Sequence, residues 1–390
     1  MHPWDQATAG RSAPLAVVDL DAFEANHDDL VRRAGGKPIR VASKSVRVRS
    51  LVTAALTRSR AGVGPGFHGI MAYTVREALW LADHGARDLF VAYPSADEAA
   101  IARLAGDGAG GAAYVDVVTL AIDSVEQVAL IRRACPGLPF RVAIDVDASL
   151  RLGPVHLGVR RSPVRTREQA VLVARAAQSA GLSLVGLMFY DAQIAGLPDS
   201  SPAVRLMKRR SADDLRARRG GIVSAVRDLA DLEFVNGGGT GSLEVTGSDP
   251  VVTELAAGSG LFGPTLFDGY DAFTPTPAAA FALPVVRRPA RDVVTLFSGG
   301  YLASGPPGWS RVPSVHSPAG LRLVKTEGTG EVQTPVRGRA ARDLELGDRV
   351  WLRHAKAGEL CERFDEVHLV RARELVDIVP TYRGEGQNFG

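Results

Sequence analysis

With 390 residues, 46% of them hydrophobic and 23% charged, the chain can bury a large core and is not a disordered polymer. Its 46 basic residues against 43 acidic ones leave a formal charge of +3, too balanced to point to nucleic acid as a partner. No apolar run approaches the ~20 residues that span a bilayer, the N-terminus lacks the order of a signal peptide, and two cysteines make no disulfide framework. A soluble, cytoplasmic, enzyme-sized protein is expected, with one large barrel and an appendage or about two domains.

The first run, PLAVVDL (14–20), reads as a strand ahead of the main series. From residue 38 short apolar or β-branched runs alternate with helical patterns. The runs are PIRVASK (38–44), GIMAYT (69–74), DLFVAY (88–93), VDVVTLAI (115–122), FRVAIDVD (140–147), SLVGLMFY (183–190), LEFVNGG (232–238) and VVTELAAG (251–258). Segments such as VREALWLADHG (75–85), SVEQVALIRRACPG (124–137) and REQAVLVARAAQSAG (167–181) carry apolar residues at helical spacing and end in glycine, a stop signal. Eight such strands predict a parallel (β/α)8 barrel over residues 28–275, with an open doubly wound sheet as the second choice. RLMKRRSADDLRARRGG (205–221) is read as a solvated helix face. After residue 275 strand-like runs separated by Gly, Pro and polar turns predict an all-β domain.

Only five of the 46 basic residues are lysines: Lys37, Lys44, Lys208, Lys325 and Lys356. In an arginine-rich chain, a lysine closing an apolar strand invites a chemical explanation, because arginine can neither lose its proton near neutrality nor condense with a carbonyl. Lys44 is such a residue. A strand-end lysine is more often a solvated charge, but one desolvated in a barrel mouth is expected to have a lowered pKa. The turn FVNGGGTGS (234–242) offers successive backbone N–H groups and hydroxyls to a phosphate, and Gly258-Ser259-Gly260 would complete the cup. It is neither a Walker A nor a Rossmann fingerprint, and alone it would be an ordinary turn. Asp145 and Asp147 share one strand face and could orient a cofactor or form ion pairs. Tyr190 could contact a planar ligand, and Arg160 and Arg161 could be surface charges.

A lysine ending the first barrel strand, a glycine cup after the seventh and eighth, and a trailing β domain resemble the fold-type III pyridoxal-phosphate enzymes, the alanine-racemase-like barrel. Within them the chain is similar to the D-threonine aldolase and D-serine dehydratase branch. The likeness is carried by RVASKSVR around Lys44, AYTVREALWLADHG (72–85), DLFVAYP (88–94), Asp123-Ser124-Val125-Glu126, GGGT (237–240) and GDRVWLRHAKAGELCERFDEV (347–367). The resemblance implies that Lys44 holds pyridoxal 5′-phosphate as an internal aldimine. Gly238, Gly239, Thr240, Gly258 and Ser259 would bind its phosphate, and Tyr190 and Arg160 its ring. It implies a small amino-acid substrate and a homodimer, and, because PLAVVDLDAFEANHDDLVRRA looks like the family's first strand and helix, a β domain made of residues 1–27 plus 276–390. Charge and hydropathy leave no nucleic acid or membrane partner expected.

One departure concerns a divalent metal, which that branch holds through a His-x-Asp or His-x-Cys pair. The matching segment reads His354-Ala355-Lys356. A protonated lysine has no lone pair to offer, so either the metal is lost and Lys356 replaces its charge, or Glu359 or Cys361 takes over beside His354. The expected activity is cleavage of a β-hydroxy-α-amino acid by a retro-aldol step, with Lys44, His354 and Lys356 catalytic and His354 the base for the β-hydroxyl. Dehydration, racemisation through a second base such as Tyr301, and non-catalytic cofactor carriage are the alternatives.

Overall fold

The computed structural model describes residues 2–61, 64–106 and 113–390. The chain forms two compact units. One comprises residues 30–44, 54–258 and 389–390; the other comprises 1–29, 45–53 and 259–388.

Strand β1 (Leu15–Asp19) belongs to the second unit, described below. The first unit is a closed barrel of eight parallel strands: β2 (Ile39–Ala42), β3 (Phe67–Ala72), β4 (Leu89–Val91), β5 (Val118–Ile122), β6 (Arg141–Asp145), β9 (Ser183–Phe189), β10 (Phe234–Gly237) and β11 (Glu254–Ala257). A short antiparallel hairpin, β7 (Leu150–Leu152) and β8 (Val155–Leu157), is inserted after β6. The expected eight-stranded barrel is therefore present, and its strands end a few residues earlier than the apolar runs suggested. Helices follow the strands where hydroxyl or carboxylate residues cap them. Thr74, Asp97, Ser124, Thr166 and Ser201 each accept a hydrogen bond from the first turn of the helix they begin.

Alternation along the strands decides which side chains fill the barrel. Phe90, Ala92, Ala121, Ala143, Val185, Met188 and Phe234 pack together as its inner core. Two residues further along the same inward rows come Asp123, Asp145 and Tyr190.

At the opposite end the interior is ionic. Arg40 lies 3.0 Å from Glu254 and 2.7 Å from Asp88, His68 is 3.0 Å from Glu254, and Asn236 donates to Glu254 at 2.9 Å. Arg40 and Glu254 are both buried, so the pair plugs the barrel floor. Gly69, at φ +53, lies below it where a Cβ would come within 2.5 Å of the Arg40 guanidinium.

The run 205–221 lies in a 26-residue helix, Pro202–Arg227, and is not wholly a solvated face. Arg219 is buried in an ion pair with Asp249, 2.5 Å away, and Arg218 pairs with Asp214 one turn earlier.

The second unit is a mixed β structure of β12 (Ala279–Ala290), β13 (Val293–Phe297), β14 (Ser314–Ser317), β15 (Arg322–Leu323), β16 (Gln333–Arg337), β17 (Arg349–Arg353), β18 (Glu366–Arg371) and β19 (Glu374–Pro380). As the sequence implied, β1 joins it, antiparallel to β12 and parallel to β18. Trp4, Leu15, Val17, Ala280, Ala282, Trp351 and Val370 form its core. No helix among the described residues is long and apolar enough to cross a membrane.

Candidate active site

Lys44 sits in a single helical turn, Ser43–Ser45, that caps β2 at the C-terminal mouth of the barrel. Arg40, Ala42 and Lys44 alternate along one row, so the inward face of the strand delivers the ammonium into the mouth. There it donates a hydrogen bond to the Tyr93 hydroxyl and lies 5.1 Å from the centre of that ring. Arg161 closes over the same aromatic pair, 5.3 Å from the Tyr190 ring and 5.8 Å from the Tyr93 ring. Arg160 and Arg161 are both exposed, and the ring contacts are made by Arg161. The residue that reaches Tyr190 is thus Arg161, and the arginine expected to face the ring is displaced by one position.

The pKa of Lys44 runs opposite to the expected direction. Burial pulls it down, but the negative charge available to Tyr93 and Tyr190 and the hydrogen bond to Tyr93 push it up by more, with Arg161 opposing. The resting amine is an ammonium paired with phenols. Burial likewise raises the Tyr190 hydroxyl.

The glycine turn lies beyond β10 in the same unit. Gly238 adopts φ +76, where any side chain would be strained, and a Cβ there would also press on Thr246 and Ser242 at 3.3 and 3.4 Å. A Cβ at Gly239 would meet Ala195 at 2.9 Å. The turn is held from below: the Ser242 hydroxyl accepts from the Gly239 N–H at 3.1 Å and donates to buried Asp191 at 3.0 Å, and Thr246 also donates to Asp191. Arg33 anchors the side by donating to the Thr240 carbonyl at 2.8 Å and pairing with Glu244. This supporting shell carried no signal in the sequence, since its members are spread over 200 residues of chain.

Gly258 directly follows the eighth strand and is the last residue of that segment of the barrel unit, whereas Ser259 opens the segment assigned to the other unit. His354 and Lys356 also belong to that unit. His354 is fully buried against Phe262, with neither ring nitrogen in a well-formed hydrogen bond. Burial, aided by Arg353, drives its pKa down to about 3, against a small opposing contribution from the Ala279 carbonyl. It is therefore a neutral imidazole that takes a proton only at a cost, which does not suit the general-base role expected of it.

The metal donor set does not assemble either. The Cys361 thiol is pushed up to about 12 by burial, one Glu359 oxygen accepts from the Ser304 N–H at 3.2 Å, and no group of three His, Cys, Asp or Glu side chains able to hold a metal occurs among the described residues. The residues present do not fit the divalent metal, and nothing below depends on one. Tyr301 shares a 2.9 Å hydrogen bond with Ser298 and packs between Phe281 and Phe364, a structural setting for the residue considered as a second base.

A parallel barrel with a lysine seated among phenols at its mouth and a constrained glycine turn after the seventh strand defines a class of covalent cofactor-binding barrels. Residues 18–264 match the family model described as "Alanine racemase, N-terminal domain", so the chain belongs to that family, the fold-type III pyridoxal-phosphate proteins. Among curated proteins it is similar to two 3-hydroxy-D-aspartate aldolases of Paracoccus denitrificans, one 26% identical over 260 residues and the other 29% identical over 254. Each match covers 64% of this chain and 60% of the relative, so the chain spans about three fifths of the length of those relatives. Among solved structures, D-threonine aldolase from Filomicrobium marinum superposes with a TM-score of 0.78 at 22% identity, covering 96% of both chains. D-threo-3-hydroxyaspartate dehydratase from Delftia sp. HT23 gives 0.74 at 20% identity, covering 96% of this chain and 98% of the other. Alanine racemase from Bacillus anthracis gives 0.64 at 14% identity, over 96% of this chain and 99% of the other. These superpositions establish the fold.

Proposed function

We propose that the protein is a pyridoxal-phosphate-dependent lyase that cleaves a β-hydroxy-α-amino acid between Cα and Cβ. The observation that carries this reading is the Lys44 amine, enclosed by Tyr93, Tyr190 and Arg161 in the mouth that also holds the Gly238 turn. The residues fit the cofactor: a primary amine for its aldehyde, aromatic and guanidinium faces for its ring, and a backbone cradle for its phosphate. When bound, that group would supply an electron sink for the charge left on the substrate carbon.

The chain's own residues then do four things. Lys44 would provide the covalent anchor for the cofactor aldehyde, and its amine can hold or move a proton in the mouth. Tyr93 orients that amine through its hydroxyl and can exchange a proton with it. The turn of Gly238, Gly239 and Thr240, with Gly258 from the next strand end, would hold the phosphate. Arg161, 5.3 Å from the centre of the Tyr190 ring, would lie against the cofactor ring. In this reading the base for the β-hydroxyl is a mouth residue and not His354. A homodimer belongs to the same proposal.

The aldolase and dehydratase names of the relatives define the test. Purified protein with pyridoxal phosphate is given D- and L-threonine, D-serine, both 3-hydroxyaspartate diastereomers and D-alanine, while aldehyde, keto acid and enantiomer exchange are followed. Aldehyde from a β-hydroxy amino acid is the expected result. Keto acid alone would make it a dehydratase, exchange alone a racemase, and bound cofactor without turnover a carrier.

A further inference from the structure

Tyr190 and Asp191 follow β9 as consecutive residues with opposite outlooks. Tyr190 continues the inward row of the core residue Met188, and its ring centre lies 5.3 Å from the Arg161 guanidinium. Asp191 faces the other way, 1% exposed, against the turn that follows β10. The two sides meet again at Gly239. A Cβ there would stand 3.7 Å from the Tyr190 ring, and its N–H is bonded to the same Ser242 hydroxyl that Asp191 holds.

The direction of these bonds follows from the number of hydrogens. Ser242 has one hydroxyl hydrogen and two acceptors within reach, the Asp191 carboxyl at 3.0 Å and the Gly239 carbonyl at 3.5 Å. The shorter contact, to a group that can bear charge, takes the hydrogen. The Ser242 oxygen then presents its lone pairs to the Gly239 N–H, 3.1 Å away. Thr246 donates to the second Asp191 oxygen, so each carboxyl oxygen accepts one hydroxyl, the pattern of an ionised acid. Burial raises the Asp191 carboxyl, against the pull of Thr246, Arg219 and Ser242. The Gly239 N–H is thus engaged inside the protein. Gly239 serves the turn by close approach, since a Cβ would meet Ala195 at 2.9 Å.

We propose that Asp191 is a positioning residue that, through Ser242 and Gly239, holds the glycine turn in the shape that recognises a phosphate monoester. Gly238, at φ +76, and Gly239 have no side chains to restrict them, and a turn that pivots there would scatter its N–H groups. One fixed bond at Gly239 keeps them on a single heading. Because Tyr190 and Asp191 are adjacent in the chain, one strand end registers both the ring side and the phosphate side of a planar phosphorylated ligand. The Asp191 charge is taken up by two hydroxyls and is not offered to the ligand.

The phosphate preference rests on the cofactor reading above, whereas the bond chain itself does not, and the test separates them. The full natural chain, Asp191→Ala, Ser242→Ala and the double variant are titrated with pyridoxal 5′-phosphate and with pyridoxal. Capture is counted by borohydride reduction and intact mass, and the ratio of the two half-saturation concentrations measures what the phosphate adds. The preference for the phosphorylated aldehyde should fall about tenfold or more in each single variant, the worth of a hydrogen bond to a charged group, with pyridoxal capture changed less than about twofold. The double variant should be no worse than the poorer single one, because both act through one bond chain. A preference unchanged in either single variant, or an equal loss for both aldehydes, would overturn the positioning role.

Amide hydrogen exchange on the ligand-free chain reads the bond chain alone. The Gly239 N–H should exchange slowly in the natural protein and faster in each variant, and equal exchange in all of them refutes it. Should Asp191→Ala fail to fold, Ser242→Ala, which loses a single oxygen, decides by the same two readouts. If the natural protein captures neither aldehyde, the cofactor reading falls and takes the phosphate preference with it, and the exchange result still judges the bond chain.

Discussion

Replacing Lys44 with alanine is expected to abolish the visible absorption of the pyridoxal-phosphate-loaded protein and to cut turnover by at least about a thousandfold, with little loss of stability. The magnitude follows from two functions lost together: the covalent anchor, and an oriented amine that alone is worth about 10²–10⁴ in proton transfer. Stability should hold because Lys44 is half-buried, its row is filled below by Ala42 and Arg40, and truncation removes a charge from among phenols. Lys44→Arg separates charge from chemistry. It keeps the cation beside Tyr93 but cannot condense with an aldehyde, so it should be as inactive as the alanine variant. Absorbance, activity on the substrate panel and a urea midpoint measured on each variant check all three statements.

The largest stability effect is expected at the barrel floor. Glu254→Leu leaves Arg40 buried with its main partner gone, and breaking such a pair costs about 3–5 kcal/mol. Arg40 and Glu254 side chains are each only 3% exposed, so solvent cannot replace the missing carboxylate. Pairing Glu254→Leu with Arg40→Met should recover most of the loss, because the uncompensated charge disappears. The same site sets an alkaline limit. Hydrogen bonds to Asp88 and Glu254 overcome the burial of His68 and raise it to about 9. Its folded pKa lies above the ordinary value of 6.5, so its stabilisation is complete below about 6.5 and is lost as pH rises through about 9. Urea midpoints between pH 6 and 10 should fall across that window in the natural protein and fall less in His68→Gln.

Much of this architecture was legible because strand and helix periods are local signals. Eight apolar runs with hydroxyl-capped helices between them define the barrel, and the rarity of lysine singled out Lys44. The N-terminal strand was legible as a strand and its membership of the β domain came with the family likeness, whereas its place between β12 and β18 is seen only in the structure. What the sequence could not carry was anything set by loop geometry. The β7–β8 hairpin separates Asp147 from the arginines, and which of Arg160 and Arg161 turns inward depends on how that excursion returns. Likewise the Asp191 support beneath the glycine turn joins residues 51 and 55 positions apart. The pKa of Lys44 was misjudged because desolvation was considered without its phenol neighbours. The enclosure of His354 was not legible either, because a motif gives identity but not burial.

The central claim is a covalent bond between the side-chain nitrogen of Lys44 and a pyridoxal aldehyde, and borohydride trapping tests it most directly. The loaded protein is reduced, digested and mapped by mass spectrometry. The account predicts one pyridoxyl group, on the peptide containing Lys44. A label on Lys37, Lys208, Lys325 or Lys356 instead, or a stoichiometric bound cofactor that borohydride does not fix, would contradict it.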